Sequence, residues 1–415
     1  MVAPKSPTQL LDGHTVRLLQ GGQEFFPALV SAMNRARHEI RLETYIFNLD
    51  ASGVLVADAL VQAASRGVSV FLVVDGAGTP ELPTELTGKF DAAGVQWRIF
   101  SKLGGIGWLV PSRWRRLHRK LCAIDGHIAF CGGINVLDDF YDPNHGALGS
   151  PRFDFAIEIY GPLVRDVTET TTQFWWRLKA VKNTREMDFP SAWAALQAAV
   201  RASRHRGEDA PTAGQQGGGG AALPTARAAL VLRDNFRMRT RIEASYRKAI
   251  GEARSEIIIA NAYFVPGARL RHALIRAAKR GVRVRLLLQG RYEYFMQFHA
   301  ARPVFGALLD AGVEIHEYAA SFLHAKVAVI DSLWVTVGSS NLDPLSLLLA
   351  REANVVVVDA AFAEDLRQRL DSAMQLSGQS MDAKKYANRP RRQRLLDWLA
   401  FGLMRLMLFL TGRRY

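Results

Sequence analysis

Two short stretches of this chain carry the same polar residues in the same order. His118-Arg119-Lys120 is followed by Asp125, Gly132, Gly133 and Asn135; His324-Ala325-Lys326 is followed by Asp331, Gly338, Ser339 and Asn341 at the same intervals. A neutral histidine attacks phosphorus, and a protonated one donates to a departing alkoxide. Two of them around one phosphate divide those roles. Lys120 and Lys326 supply point charges for the non-bridging oxygens. Asn135 and Asn341 offer amide N–H donors, Ser339 a hydroxyl, and Gly133 lets backbone approach where a side chain would block it. Such groups form a preorganised pocket for the charge of a phosphoryl transition state. A single His-x-Lys pair means little. Two copies, each trailed in register by Asp, Gly, Gly-or-Ser and Asn, point to two-step acid–base and nucleophilic chemistry on one phosphate.

Each histidine needs a carboxylate to hold its tautomer and stabilise the imidazolium. The candidates are Asp154, in Arg152-Phe-Asp-Phe-Ala-Ile-Glu158, and Glu352, in Arg351-Glu-Ala-Asn-Val-Val-Val-Val358. Taken in chain order they back His118 and His324 respectively. A solvated charge at a strand end is the plainer alternative for both. His299 has no counterpart in the other half and is a candidate substrate contact, whereas His127, His145 and His272 read as structural or surface residues. No Cys/His spacing suggests zinc. Cys122 and Cys131 lie in apolar runs and read as buried, reduced thiols.

The elements that position these residues are duplicated too. The spacing predicts a strand over 39–47, a helix over 53–65 and a strand over 68–74. Their counterparts are 256–264, 269–279 and 282–288. Arg66-Gly-Val68 and Arg280-Gly-Val282, then Ala93-Gly-Val95 and Ala311-Gly-Val313, each end a helix and open a strand. The motifs fall on the apolar strand pairs 121–124 with 127–130 and 327–330 with 334–337. Strands alternating with helices argue for layered α/β domains. Two copies mean two similar domains rather than a solenoid. We place the first domain at 1–205, a Gly-rich linker at 206–224, the second domain at 225–380 and a basic tail at 381–415.

Composition agrees with a globular protein. The chain has 415 residues and a net charge of +14, which favours an anionic partner such as nucleic acid, anionic lipid or a phosphorylated substrate. The first residues lack an apolar h-region, and no apolar stretch reaches the length of a spanning helix. The first half carries 12 extra residues ahead of its histidine, including Gly104–Pro111 and the basic Ser112–Arg116. That loop suits either bilayer insertion or ordinary packing. The tail sets Leu395, Leu399, Leu403, Leu406 and Leu410 on one helical face, with Trp398, between arginine clusters. It fits a helix lying in a membrane interface, or one docked on the domain. Asp397 and Arg405 read as interruptions of its apolar run.

The paired motif resembles the signature of the phospholipase D superfamily, His-x-Lys-x4-Asp followed by Gly-Gly/Ser-x-Asn, over roughly residues 10–375. Leu42-Glu-Thr-Tyr-Ile-Phe47 and the 118–135 segment make it most similar to bacterial cardiolipin synthases of the type without N-terminal membrane helices. The resemblance implies two homologous α/β/α layered domains with pseudo-twofold symmetry, plus a C-terminal amphipathic helix. It implies metal-independent phosphatidyl transfer through a phosphatidyl-histidine, with no cofactor. It also implies phosphatidylglycerol as substrate and a peripheral seat on the anionic cytoplasmic face of the inner membrane. By the same resemblance His118 is the nucleophile, His324 the acid/base, and Asp125 and Asp331 the structural members of the motif; the sequence alone leaves the histidines interchangeable. Three alternatives remain: a phospholipase D or a transferase using another alcohol, a nuclease, and a non-enzymatic membrane scaffold. Nucleic acid has no use for the amphipathic tail, and a scaffold has none for two matched His-Lys-Asn sets. The oligomeric state is not legible.

Overall fold

Extended runs such as Glu39-Ile-Arg-Leu-Glu-Thr44 and Glu256-Ile-Ile-Ile-Ala-Asn261 are rich in β-branched residues, and they form the central strands. The computed structural model describes residues 9–102, 114–185, 188–204, 226–234, 238, 240–292, 295–343 and 350–410. The Gly-rich linker, Gly104–Pro111 and Ser112, and the last five residues lie outside them. The chain forms two compact units. One holds Met1–Cys131, Asn135–Asp138 and Ile157–Leu230; the other holds Gly132–Ile134, Asp139–Ala156 and Val231–Tyr415.

In the first unit Glu39–Thr44 pairs in parallel with Ser69–Asp75, which pairs in parallel with Gln96–Phe100. Its other edge pairs antiparallel with Lys120–Ile124, and the order continues through Ile128–Gly132, Phe155–Tyr160 and Leu11–Gln20. The second unit repeats the pattern. Glu256–Asn261 lies between Arg283–Gln289 (parallel) and Lys326–Ile330 (antiparallel), Arg283–Gln289 pairs with Glu314–Tyr318, and Trp334–Gly338 and Ala350–Val358 follow. Helices cover the sheets, with Leu60 and Phe90 buried in the first unit and Leu274 and Leu308 in the second.

The expected helix terminators are present. Gly67, Gly94, Gly281 and Gly312 adopt φ of 90°, 87°, 89° and 85°, the left-handed conformation a side chain disfavours. Asp50 caps the helix Ala51–Ser65 by accepting from Gly53 N at 3.0 Å.

The aspartates of both motifs sit at turns. Asp125 and Asp331 take φ of 53° and 52°. Asp125 accepts from the backbone N–H groups of Arg37, His38 and Glu39, each at 2.8 Å. Asp331 accepts from those of Arg254, Ser255 and Glu256 at 2.8 to 2.9 Å. Each carboxylate thus joins the turn after a motif strand to the start of the neighbouring central strand. Burial opposes ionisation at both, but the backbone N–H groups outweigh it and hold each carboxyl below its usual range.

The C-terminal helix Arg391–Leu410 lies on the second unit. Asp397, Ala400 and Met404 are buried, three positions at helical spacing that face the helix Phe295–Leu309. Asp397 accepts from His299 Nδ1 at 2.7 Å and pairs with Arg389 at 3.0 Å. Asp397 is therefore the anchor of the helix, not an interruption of an apolar face. His299 is committed to this anchor, which corrects its reading as a substrate contact. The opposite face exposes Leu395, Trp398, Leu399, Leu403 and Leu406.

Replacing Asp125 or Asp331 by alanine leaves three backbone donors without their acceptor and costs about 1–3 kcal/mol of stability. Because the folded pKa is depressed, the stabilisation is fully present above the ordinary carboxylate range and is lost as pH falls through the folded value. Urea unfolding at pH 7 and pH 3 checks both. The gap between wild type and each alanine variant should shrink at pH 3, and an equal gap at both pH values refutes the carboxylate as its source.

Candidate active site

The strands Lys120–Ile124 and Lys326–Ile330 begin on the motif lysines, so each histidine stands two residues ahead of its strand. In extended chain, residues two apart share a face. Lys120 Nζ donates to the His118 carbonyl at 2.8 Å, and Lys326 Nζ donates to the His324 carbonyl. Both lysines are buried.

Around His118 the first unit supplies an aromatic wall and a rigid approach. The Tyr45 ring lies 5.0 Å from the imidazole, and Lys120 Nζ lies 5.5 Å from the Tyr45 centroid. Leu117 N donates to Asp75 Oδ2 at 2.6 Å, and Arg116 pairs with Asp75 Oδ1 at 3.1 Å. Asp75 is fully buried; desolvation pushes its carboxyl up, opposed by the Arg116 guanidinium and two backbone donors. Arg116, the end of the loop read as a bilayer contact, is thus folded onto Asp75. Arg119 forms a buried ion pair with Glu43, locking the motif strand against the central strand. Asn135 Oδ1 accepts from Ile46 N at 3.2 Å. A backbone donor fixes that end of the amide as the oxygen and leaves the NH2 as the donor end.

Around His324 the arrangement differs from chain order. His324 Nδ1 lies 2.6 Å from Asp154 Oδ2, a carboxylate that chain order assigns to His118. The segment 139–156 folds with the second unit, which is why the pairing crosses. Phe153 N donates to Phe322 O, and His324 N donates to Phe153 O, both at 2.9 Å. This short parallel bridge sets the next residue, Asp154, against the imidazole. Upstream, Arg152 pairs with Asp142 at 3.0 Å, and Ser321 Oγ donates to Ser150 O at 2.7 Å. His145, read as structural, bonds Asp142 at 3.0 Å. Gly133 has a defined use here: a Cβ on it would stand 2.3 Å from Asp154 Oδ1. Asp154 is buried, and its other oxygen accepts from Phe155 N at 2.8 Å. A proton on Nδ1 is therefore directed to Asp154, which fixes the tautomer and the orientation of the imidazole.

Ser339 was expected to add a hydroxyl to the anion pocket. Its Oγ instead donates to Glu352, and it accepts from Ala353 N at 3.1 Å. Both side chains are fully buried. Asn341 is buried close behind Ser339 in the chain. Among the described residues no group of three or more His, Cys, Asp or Glu side chains is placed to hold a metal ion. The sequence reading missed Phe153, Tyr45, Asp75 and Gln289. Phe153 carries no signal in one sequence; Tyr45 lies in the Leu42–Phe47 segment that carries the family resemblance, but nothing in that segment marks it as a wall beside His118. Asp75 and Gln289 occupy the same place in the two halves, ending the strand before Gly76 and Gly290, and aligning the repeats would have exposed them.

Residues 29–148 and 246–374 match the family model described as cardiolipin synthase, PLD-like domain. Cardiolipin synthase B of Escherichia coli K12 is 34% identical over 412 residues, covering 97% of this chain and 90% of that protein. Cardiolipin synthase 2 of Bacillus cereus is 30% identical over 377 residues, covering 90% of this chain and 68% of that protein. The crystal structure of phosphatidylserine synthase from Haemophilus influenzae Rd KW20 superposes with a TM-score of 0.65 at 12% identity, covering 96% of each chain. That likeness shows the fold, a mixed α/β two-domain architecture of the phospholipase D type. With both motifs intact and both copies matched, the chain belongs to the cardiolipin synthase family of phospholipase D-like proteins.

Proposed function

We propose that this chain is a cardiolipin synthase. It moves a phosphatidyl group from one phosphatidylglycerol to a terminal hydroxyl of another and releases glycerol. The observation that carries the reading is the Asp154–His324 pair in a chain whose two motifs are both intact: one imidazole is already oriented as a proton carrier. His118 attacks phosphorus, the P–O bond to glycerol breaks, and His324 gives its Nε2 proton to the departing oxygen. The acceptor hydroxyl then loses its proton to His324 and attacks phosphorus, and the P–N bond to His118 breaks. Lys120, Lys326, Asn135 and Asn341 balance the charge on the non-bridging oxygens. Asp125 and Asp331 act through the backbone.

The substrate lies in a bilayer, and the C-terminal helix suits one. No described helix is long and apolar enough to cross a membrane. The helix Arg391–Leu410 instead exposes an apolar stripe, with Arg391, Arg392, Arg394 and Arg405 also exposed. Basic residues at an anionic surface contribute about 1 kcal/mol each. We assign this face to the headgroup region of an anionic membrane. Deleting the tail strips Asp397 from His299 and uncovers the helix beneath, so substitutions on the exposed stripe are the cleaner test.

Labelled phosphatidylglycerol given to the purified protein should yield cardiolipin and glycerol. Phosphatidic acid alone would make it a lipase, and no lipid product at all would refute both. His118→Ala and His324→Ala should each abolish turnover, and a denaturing quench of the wild type at neutral pH should trap a phosphatidyl group on His118. Asp154→Asn keeps the shape but loses the charge behind His324; turnover should fall about 10²- to 10⁴-fold with the unfolding midpoint little changed. Turnover within twofold of wild type would remove Asp154 from the mechanism. The double variant Leu399→Glu/Leu403→Glu should bind anionic vesicles at least about tenfold more weakly while remaining folded. Equal flotation of both proteins would refute this face as the membrane contact.

A further inference from the structure

The first unit contains two helices with more apolar surface than their packing uses. Leu163–Arg185 is rooted in that unit: Phe174 and Trp175 are buried with Val73 and Leu117, and the Trp175 ring meets Phe71 edge-on at 5.0 Å. Leu117 stands just ahead of His118. Phe189–Arg204 folds back along Leu163–Arg185. Its Ala192, Ala195 and Ala199 are buried, at the three-and-four spacing of one helix face. These small side chains form the seam along which the two helices approach.

A second face of the same helix is apolar and bare. Trp193, Leu196 and Val200 keep the same spacing and are exposed, Trp193 at 63%, and Val181 of the longer helix is exposed as well. Single exposed apolar residues need no explanation, but a row of them headed by a tryptophan does. A tryptophan joins an apolar body to a polar N–H, which suits the boundary between lipid and water.

The charge around the row says what covers it. Arg177, Lys179, Lys182 and Arg185 lie in the second half of the longer helix, and Arg201 and Arg204 in the last turn of the shorter one, against Glu186 and Asp188 between them. A second copy of this chain docked face to face would set like charges opposite one another. A nucleic acid would meet the charge and leave Leu196 and Val200 bare. An anionic bilayer meets both: its headgroups attract the basic residues, and its acyl boundary takes the apolar row.

We propose that this hairpin is a membrane foothold of the first unit, seating Trp193, Leu196 and Val200 in the headgroup boundary of an anionic bilayer. It is separate from the C-terminal helix, which belongs to the second unit. The unit that carries His118 thereby has its own hold on a lipid surface. The inference does not depend on the transferase reading, because binding is measured without turnover.

Flotation of the full chain with vesicles of phosphatidylglycerol in phosphatidylcholine tests it. Trp193→Glu/Leu196→Glu should bind at least about tenfold more weakly than the wild type, with an unchanged unfolding midpoint. Combined with Leu399→Glu/Leu403→Glu, the two losses should multiply, since the substituted faces belong to different units. Vesicles of brominated phosphatidylglycerol give a second reading that puts no charge into the helix. Trp398→Phe should retain fluorescence quenching by these lipids, and adding Trp193→Phe should remove most of it. Equal flotation of Trp193→Glu/Leu196→Glu and wild type, or quenching unchanged by Trp193→Phe, overturns the foothold. So does a wild type that sediments as a dimer while Trp193→Glu/Leu196→Glu sediments as a monomer, which would assign the row to a second copy.

Discussion

His324 is held by a carboxylate that lies 170 residues upstream, and much else in the site follows from that bond. A carboxylate reaches Nδ1 only if its own backbone is fixed. Phe153 fixes it through two hydrogen bonds to Phe322 and His324. That bridge requires the 139–156 segment to fold with the second unit, where Ser321 Oγ donates to Ser150 O and the His145 ring packs on Phe322. The carboxylate also needs space, and Gly133 provides it by having no side chain. A glycine of the first motif is thereby conditioned by the histidine of the second. This explains why a motif residue with no reactive group belongs to the pattern, and why its role cannot be stated within one copy.

The repeats share a scaffold and differ in how they close it. Glu43 and Arg119 form a buried ion pair where the second half has Ala260 and Ala325, both fully buried. Removing one member of such a pair strands a charge, at a cost of about 3–5 kcal/mol, whereas paired alanines carry no such liability. Asp75 with Arg116 and Gln289 alone form a second contrast. In both cases the first half uses charge to brace its histidine and the second does without. A reaction that treats two alcohols and one phosphatidyl group differently needs such asymmetry, and a perfectly duplicated site would not supply it.

Much of the scaffold was legible because it depends on local rules applied twice. The apolar strands read at 121–124 and 327–330, each one residue inside the strand that forms, and the left-handed glycines recur at fixed spacing. The site was legible only as a set of residue types. Which carboxylate serves which histidine depends on where the 139–156 segment docks, and chain order misleads there. Ser339 has the right chemistry for an anion pocket, but its proton is taken by Glu352, a partner visible only in three dimensions. His299 has no counterpart in the repeat, which made it look functional. It lacks one because the C-terminal helix it anchors has none either.

That helix shows how one polar residue is read differently once packing is known. In the sequence Asp397 weakens an apolar run. In the structure it is buried between His299 and Arg389, so its charge is paired and the helix is fixed in rotation about its axis. With Asp397, Ala400 and Met404 turned inward, Leu395, Leu399 and Leu406 must face outward, since each stands two positions from an inward residue and two positions carry the chain to the far side of a helix. A monomeric soluble protein has little reason to hold an exposed leucine row in one orientation by a buried ion pair. A protein that must meet a lipid surface does: a docked helix presents its apolar stripe already ordered, and the surface need not supply the cost of forming it.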